Sequence, residues 1–227
     1  MNANPNIAAI AALIADPSRA AILSILLGGH SLPAGELARH AHISAQTASA
    51  HLAKMVAGRL LCVTQTGRHR YYSLGSQEVA RALETLALIA PMQRVSSLRE
   101  GLEGQALRYG RTCYDHLAGT LGVMVTQALL DRQFISQCGE AFEVSSEGAG
   151  WFRTLGIDVQ ALYQMRRYFG ITCIDWSERK PHLAGALGAA INKQLFEKGW
   201  IMRRDESRAV KVTELGCRMF EQELGIK

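Results

Sequence analysis

The sequence predicts a mainly α chain with small β-hairpins, an α+β arrangement in two parts. Three observations predict it. Residues 31–74 read as helix, tight turn, helix and short hairpin. Apolar residues at helical spacing recur on both sides of that stretch. The second half then repeats itself: His116-Leu117-Ala118-Gly119-Thr120-Leu121-Gly122 returns as His182-Leu183-Ala184-Gly185-Ala186-Leu187-Gly188.

The elements follow in order. Asn6 to Ala15 is an alanine-rich apolar helix. Pro17 opens the next at its first turn, where a missing N–H costs nothing, with Asp16 or the residue before it as cap. Ala21, Ile22, Ile25 and Leu26 form its buried face, and Gly28-Gly29 stops it. A helix carrying Glu36-Leu37-Ala38 then leads into the turn Ala41-His42-Ile43, and Ser44 caps the next helix. Ala48, Leu52, Met55 and Val56 of that helix face the core, which leaves Gln46, Thr47, Ser49, Ala50 and Lys54 outside. Gly58 ends it. Leu60-Leu61-Cys62-Val63 begins a strand, Thr66-Gly67 with Arg68-His69-Arg70 forms a basic tip, and Tyr71-Tyr72-Ser73-Leu74 returns. Gln77 to Ala90 is a further helix with Val79, Leu83, Leu86, Leu88 and Ile89, ended by Pro91.

That order is a winged helix-turn-helix, which places one helix in a DNA groove. A helix entering the major groove needs small residues for close approach, amides and hydroxyls for base edges, and a cation for phosphate. A wing with two arginines suits phosphate or the minor groove. The expected DNA contacts are Ser44, Gln46, Thr47, Ser49, His51, Lys54, Arg68, His69 and Arg70. The competing explanation, an ordinary small domain whose hairpin happens to be basic, leaves the agreement of helix order, turn and wing to coincidence.

Asp16-Pro17-Ser18-Arg19-Ala20-Ala21-Ile22-Leu23, Glu36-Leu37-Ala38, Ser44 to Leu52 and Gly67-Arg68-His69-Arg70-Tyr71-Tyr72 together resemble the ArsR/SmtB family of bacterial transcriptional repressors. The resemblance covers roughly residues 5–95. It implies a homodimer that binds a palindromic double-stranded operator and leaves it when an effector binds. Two sensing sites of that family are missing here. Glu36 to His42 has no Cys-x-Cys pair, and Gln77 to Ala90 has no cluster of Asp and His. His40 and His42 are expected to be ordinary polar turn residues. Any sensor is therefore expected further along the chain.

Composition sets the class. A chain of 227 residues is long enough for two modest domains. These are expected at 1–95, for DNA binding and dimerisation, and at 96–227, a C-terminal sensor. Val95 to Arg111 is read as a polar helix or linker between them. The apolar fraction, 48%, is that of a soluble globular protein. No apolar run approaches the roughly 20 residues of a membrane helix. No cationic segment precedes the N-terminal apolar stretch, so a cytoplasmic protein without membrane partners is expected. Up to Ser97 there are eight Lys and Arg against four Asp and Glu, and beyond it 17 against 16, so the excess positive charge sits on the DNA-binding part. Five cysteines, an odd number, favour metal or thiol chemistry over a disulfide framework.

The repeat covers about 112–157 and 173–226 and reads as two winged-helix-like units, each a helix, hairpin and helix, about a pseudo-twofold axis. Each copy carries Cys-x-Asp ahead of its histidine: Cys113, Asp115 and His116, then Cys173, Asp175 and, after six more residues, His182. Cys113 and His116 are three apart, on one face if helical. Thiolate and imidazole suit zinc or another thiophilic divalent metal, and two pairs meeting at the axis provide four ligands. Asp115 and Asp175 are possible further ligands or acceptors that orient the histidines. The plainer alternative is a repeat kept because it packs well, with inert core cysteines. Cys113 and Cys173 are also suited to a reversible disulfide. Cys62, Cys138 and Cys217 are read as buried or incidental thiols. Trp151, Phe152, Tyr163, Tyr168, Phe169 and Trp176, with Arg166 and Arg167, are the residues for an organic-ligand pocket. An enzyme with an accessory DNA-binding domain is disfavoured, because neither a phosphate loop nor a nucleophile elbow is present. A protein-binding adaptor is the remaining alternative.

Overall fold

Asp16 and Arg19 organise the start of the chain. The computed structural model describes residues 4–92, 97–204 and 207–226. The chain divides into two units, Met1–Leu83 and Glu84–Lys227. The boundary expected at 95/96, with Val95 and Ser96, falls outside the described residues.

In the first unit, helix α1 (Ile7–Ile14) is capped by Asn6 and buries none of its residues. Helix α2 (Pro17–Leu26) is capped by Asp16, whose carboxylate accepts the Arg19 amide at 2.9 Å. The Arg19 guanidinium reaches back to the carbonyls of Leu13 (2.6 Å) and Ala12 (2.8 Å), which satisfies acceptors at the end of α1. Strand β1 (Leu32–Pro33), helix α3 (Ala34–His40) and helix α4 (Ala45–Ala57) follow. The turn between the helices contains His42 at φ 52°. Ala48, Leu52 and Met55 are buried as expected, while Val56 is half-buried. Strands β2 (Leu61–Thr66) and β3 (His69–Leu74) pair antiparallel from Leu61↔Leu74 to Thr66↔His69. The wing also gains a third strand, in the order β1-β3-β2, because Leu32 and Pro33 pair with Tyr72 and Tyr71. Helix α5 (Gln77–Ile89) runs from the first unit into the second.

In the second unit, helix α6 (Leu98–Tyr109) occupies most of the segment read as helix or linker. The repeat then appears twice. Copy one is β4 (Arg111–Cys113), β5 (His116–Ala118), α7 (Gly119–Asp131), β6 (Ile135–Cys138), β7 (Ala141–Val144) and α8 (Ser146–Thr154). Helix α9 (Val159–Tyr163) links it to copy two: β8 (Ile171–Ile174), β9 (Pro181–Ala184), α10 (Gly185–Glu197), β10 (Ile201–Arg203), β11 (Val210–Val212) and α11 (Glu214–Leu224). Each copy therefore opens with a strand pair that periodicity did not reveal, since three- and four-residue strands carry almost no alternation.

The copies exchange partners. Strands β6-β7-β8-β9 form one sheet, so the second hairpin of copy one pairs with the first of copy two. Reciprocally, the residue before β11 meets β4 in a single bridge: Arg111 pairs with Ala209, as Ile171 pairs with Ala141. The flanking bonds match as well, Thr112 N to Arg208 O (2.9 Å) against Thr172 N to Glu140 O (2.8 Å). Leu121, Leu129, Phe152, Leu187, Leu195 and Phe220 are core residues supplied by both copies. Among the described residues no single helix is long and apolar enough to cross a membrane.

The step from hairpin to helix explains the glycine of each HLAG. Gly119 (φ 81°) and Gly185 (φ 85°) sit in the left-handed region, where a Cβ would come within 2.6 Å of Arg108 O or 2.8 Å of Tyr168 O. Gly119→Ala should lower stability by about 2–3 kcal/mol. Gly139→Ala, at φ 61° with open space around it, should cost only about 1 kcal/mol. Urea denaturation of the two variants side by side checks this.

Candidate nucleic-acid interface and candidate metal centre

The candidate nucleic-acid face is α4 with the wing. Ser44 Oγ accepts the Thr47 amide (3.1 Å) and lies 2.9 Å from the Thr47 hydroxyl, so it fixes the first turn of α4. Gln46, Thr47, Ser49, Ala50 and Lys54 are exposed along one side. The Ser49 hydroxyl donates to Ala45 O (2.9 Å), which keeps its lone pairs outward. At the wing tip Gly67 takes φ 61° and Gln65 Nε2 donates to its carbonyl (3.2 Å). Arg68, His69 and Arg70 are all exposed there. His51 is not part of this face. Its Nδ1 lies 3.2 Å from Arg19 Nη1, and its Nε2 lies 3.7 Å from Asp16 Oδ1. Arginine has only donors, so Nδ1 is the acceptor and the ring works inside the first unit.

The second constellation is built by hairpins. Cys113 and His116 are not on one helix face, as the spacing of three suggested. They are cross-strand partners in β4–β5, with the chain reversed at Tyr114 (φ 57°) and Asp115. Cys173 and His182 are the equivalent partners in β8–β9, and the six extra residues of copy two only lengthen that loop. A cross-strand pair places two side chains on the same face of a hairpin. The two pairs face each other: His116 Nε2 lies 3.1 Å from His182 Nε2, and the rings stack at 5.0 Å. The ligand atoms of Cys113, His116, Cys173 and His182 all lie within 4.8 Å of one another. His182, Cys113 and His116 are buried, and Cys173 is half-buried.

Its charge state is set internally. The Cys113 thiol beside Cys173 holds the latter well below the usual thiol range, with His116 and His182 acting in the same direction against burial. That same contact, together with burial, pushes Cys113 well up. Burial pushes His116 down, but its bonds to Asp115 and Cys173 outweigh this and raise it to about 9. A thiolate at Cys173, a thiol at Cys113, an imidazolium at His116 and the ring of His182 therefore converge.

The aspartates have separate tasks, and neither belongs to the cluster of ligand atoms. Asp115 Oδ1 lies 3.5 Å from His116 Nδ1, and its Oδ2 accepts from Arg167 at 2.7 Å. It is an orienting acceptor for His116. Asp175 is fully buried and engaged elsewhere. It accepts from Arg111 Nη2 (2.8 Å), Gly119 N (2.6 Å), Ser177 N (2.8 Å), Ser177 Oγ (2.6 Å) and Glu178 N (3.0 Å). Burial raises its pKa, but Arg111 and these donors hold it at about 2. Arg111, which also lies over Trp176 at 4.3 Å, was missed in the sequence. The available signal was its place two residues before Cys113, mirroring Asp175 two residues after Cys173.

The remaining sequence candidates disperse. Phe152 is core, Trp151 stacks on Phe134, Tyr163 stacks on Phe169, and Tyr168 is exposed, so these aromatics do not assemble into one pocket. Cys62, Cys138 and Cys217 are exposed rather than buried. Asp175→Asn should destabilise the second unit by about 3–5 kcal/mol, because it leaves Arg111 buried without its counter-charge. Chemical denaturation at pH 7 reads this. The loss should shrink as the pH falls toward 2, where the native carboxylate itself becomes protonated.

A helix-turn-helix domain model matches residues 14–64. The HTH-type transcriptional regulator YdfF of Bacillus subtilis is 46% identical over 224 residues, 99% of each chain. The regulator CmtR of Mycobacterium tuberculosis is 37% identical over 76 residues, 34% of this chain and 64% of that one. Among solved structures, the cadmium metal-sensor CmtR of M. tuberculosis aligns with a TM-score of 0.32 at 30% identity, over 40% of this chain and 99% of that chain. NolR from Sinorhizobium fredii aligns with a TM-score of 0.34 at 30% identity, over 37% of this chain and 82% of that chain. With a capped, polar-faced α4 beside an arginine-tipped wing, and a relative alike along the whole length, the chain belongs to the winged helix-turn-helix transcriptional regulators of the ArsR/SmtB type.

Proposed function

We propose that this regulator is a homodimeric repressor that holds a thiophilic divalent cation, zinc or a chemically similar ion, in its second unit and releases its operator in response. The observation that carries the reading is the convergence of Cys113, His116, Cys173 and His182 from two hairpins. Tetrahedral zinc bonds of about 2.0–2.3 Å place ligand atoms roughly 3.3–3.8 Å apart, a spacing that a cluster closed within 4.8 Å accommodates by small side-chain shifts. The thiolate of Cys173 is available without deprotonation, and Cys113 and His116 would give up protons. Asp115 would keep the proton of His116 on Nδ1, which leaves Nε2 free to ligate. A bound cation would supply two positive charges against two thiolates and tie β4–β5 to β8–β9. His182 Nδ1 is buried without a hydrogen-bond partner, so the protein leaves one nitrogen of this ring unclaimed.

DNA binding is assigned to Gln46, Thr47, Ser49 and Lys54 for the groove, with Arg68, His69 and Arg70 for phosphate, and Ser44 as the cap that aims the helix. Exposed apolar residues on α1 (Ile7, Ile10) and α5 (Leu86, Ile89) support pairing with a second copy. The proximity of Cys113 and Cys173 supports one second reading, a thiol switch at the same residues. A cytoplasmic location and the absence of catalysis complete the reading.

Elemental analysis of protein purified reduced and without chelator should find about one equivalent of metal per chain. Cys113→Ser and His182→Ala should each lower zinc affinity by at least about 100-fold and abolish the metal response while leaving metal-free DNA binding intact. Persistence of the response in Cys113→Ser would sink both the metal and the thiol readings. Arg68→Ala with Arg70→Ala should weaken binding to all duplexes alike and reduce the slope of log K against log salt by about 2. An unchanged slope would remove the wing from the interface.

A further inference from the structure

One buried ion pair joins the hairpin region to helix α5. Arg208 Nη1 donates to Glu84 Oε1 at 2.6 Å, with the two side chains 11% and 4% exposed. Glu84 lies within α5, and the preceding turns of that helix, from Gln77, belong to the first unit. On the other side, the Arg208 carbonyl accepts from Thr112 N at 2.9 Å, and Thr112 immediately precedes Cys113. Ala209 bridges Arg111, and Val210 N donates to Gly110 O at 2.9 Å. Cys113 is thus separated from α5 by one covalent step, one backbone hydrogen bond and one buried ion pair.

The comparison between the two copies singles this pair out. The position equivalent to Arg208 in copy one is Glu140. Its carbonyl makes the same bond, to Thr172 N, before Cys173. Its side chain is an exposed carboxylate of opposite charge. The backbone device therefore belongs to the repeat, whereas the arginine is an addition to one copy, on the side where α5 supplies a carboxylate. Arg111 lies near enough for Arg208 and Glu84 to act on its charge. The row Glu84, Arg208, Arg111, Asp175 thereby runs from α5 to within two residues of both cysteines.

We infer that Arg208 and Glu84 are the residues through which occupancy of the Cys113–His116–Cys173–His182 centre reaches helix α5, and along it the first unit. The inference rests on the metal reading proposed above. Drawing Cys113 and Cys173 toward a shared ligand moves β4 relative to β8. β4 is hydrogen-bonded to Arg208, so that displacement is felt at the buried pair. A buried ion pair does not stretch gradually, because a separated charge loses its partner in a medium that does not replace it. Binding at the centre therefore favours one arrangement of α5 over another, which is the differential interaction that coupling requires.

The test uses the full chain, a duplex selected by the wild-type protein from a random pool, and Zn(II) and Cd(II) as probes. For Arg208→Gln and for Glu84→Gln, metal affinity and metal-free DNA affinity should stay within about threefold of wild type. The ratio of DNA affinities without and with metal should fall from the roughly 5–150-fold typical of coupled sites to within about twofold of unity. Arg208→Lys, which keeps the charge, should retain at least half of the wild-type ratio on a logarithmic scale. Hydrogen exchange of wild type should show a metal-dependent change across Glu84–Ile89 that is absent in Cys113→Ser. A variant with the full wild-type ratio, a ratio lost only together with metal affinity, or an α5 indifferent to metal would each overturn the inference. If wild type binds neither ion, the metal reading fails first and the inference fails with it. If wild type binds and responds but the glutamine variants respond equally, the inference alone fails.

Discussion

The buried contact between Arg111 and Asp175 is the constraint on which the second unit depends. Both side chains are fully buried, and the carboxylate accepts five hydrogen bonds from three directions. A lone charge in that position would be costly, while a carboxylate met by a guanidinium and four further donors is tolerated and gives direction. Arg111 is two residues before Cys113 and Asp175 two residues after Cys173, so the pair sets the distance between the two hairpins. Through the Gly119 amide it also fixes the start of α7, at a glycine whose backbone conformation excludes other residues. The facing of His116 and His182 follows from that bracing.

The repeat supplies the rest. The two hairpins bring residues three positions apart and nine positions apart onto one face alike, because in each register the cysteine lies directly opposite the histidine. The same local geometry is therefore made from Cys113 to His116 and from Cys173 to His182. Pairing between the copies, β7 with β8 and Ala209 with Arg111 of β4, places those faces opposite each other. The outcome is a closely spaced set of two sulfurs and two histidine rings, donor types that suit a thiophilic divalent ion. Asymmetry enters only around it. Asp115 with Arg167 serves one histidine, Arg111 with Asp175 braces the other side, and Arg208 with Glu84 faces α5.

The first unit separates aim from contact. Ser44 and the Arg19–Asp16–His51 group set where α4 begins and how it is held. The residues left over on its outer side are mostly short and polar, and the wing tip carries Arg68 in its turn and Arg70 on β3. Such an arrangement spends little conformational entropy on the contact, since the presenting elements are already ordered.

Much of this was legible in the residues alone. The order of helices, the caps Asp16 and Ser44, the hairpin from Leu61 to Leu74 and the internal repeat are local signals, and local signals are what a sequence writes openly. Even the four candidate ligands were found, because repetition marked Cys and His twice over. What the chain alone did not determine was the geometry that unites them. Periodicity suggested a helix face for Cys113 and His116, whereas three-residue strands decided a hairpin. His51 was read as outward and is held inward by a carboxylate and a guanidinium about 32 positions away. Arg208 and Glu84 carried no local signal, and Arg111 only its place two residues before Cys113. Their roles are electrostatic and long-range, and a charge buried at a distance in sequence acquires meaning only when the tertiary fold removes the water around it and brings its partner within reach.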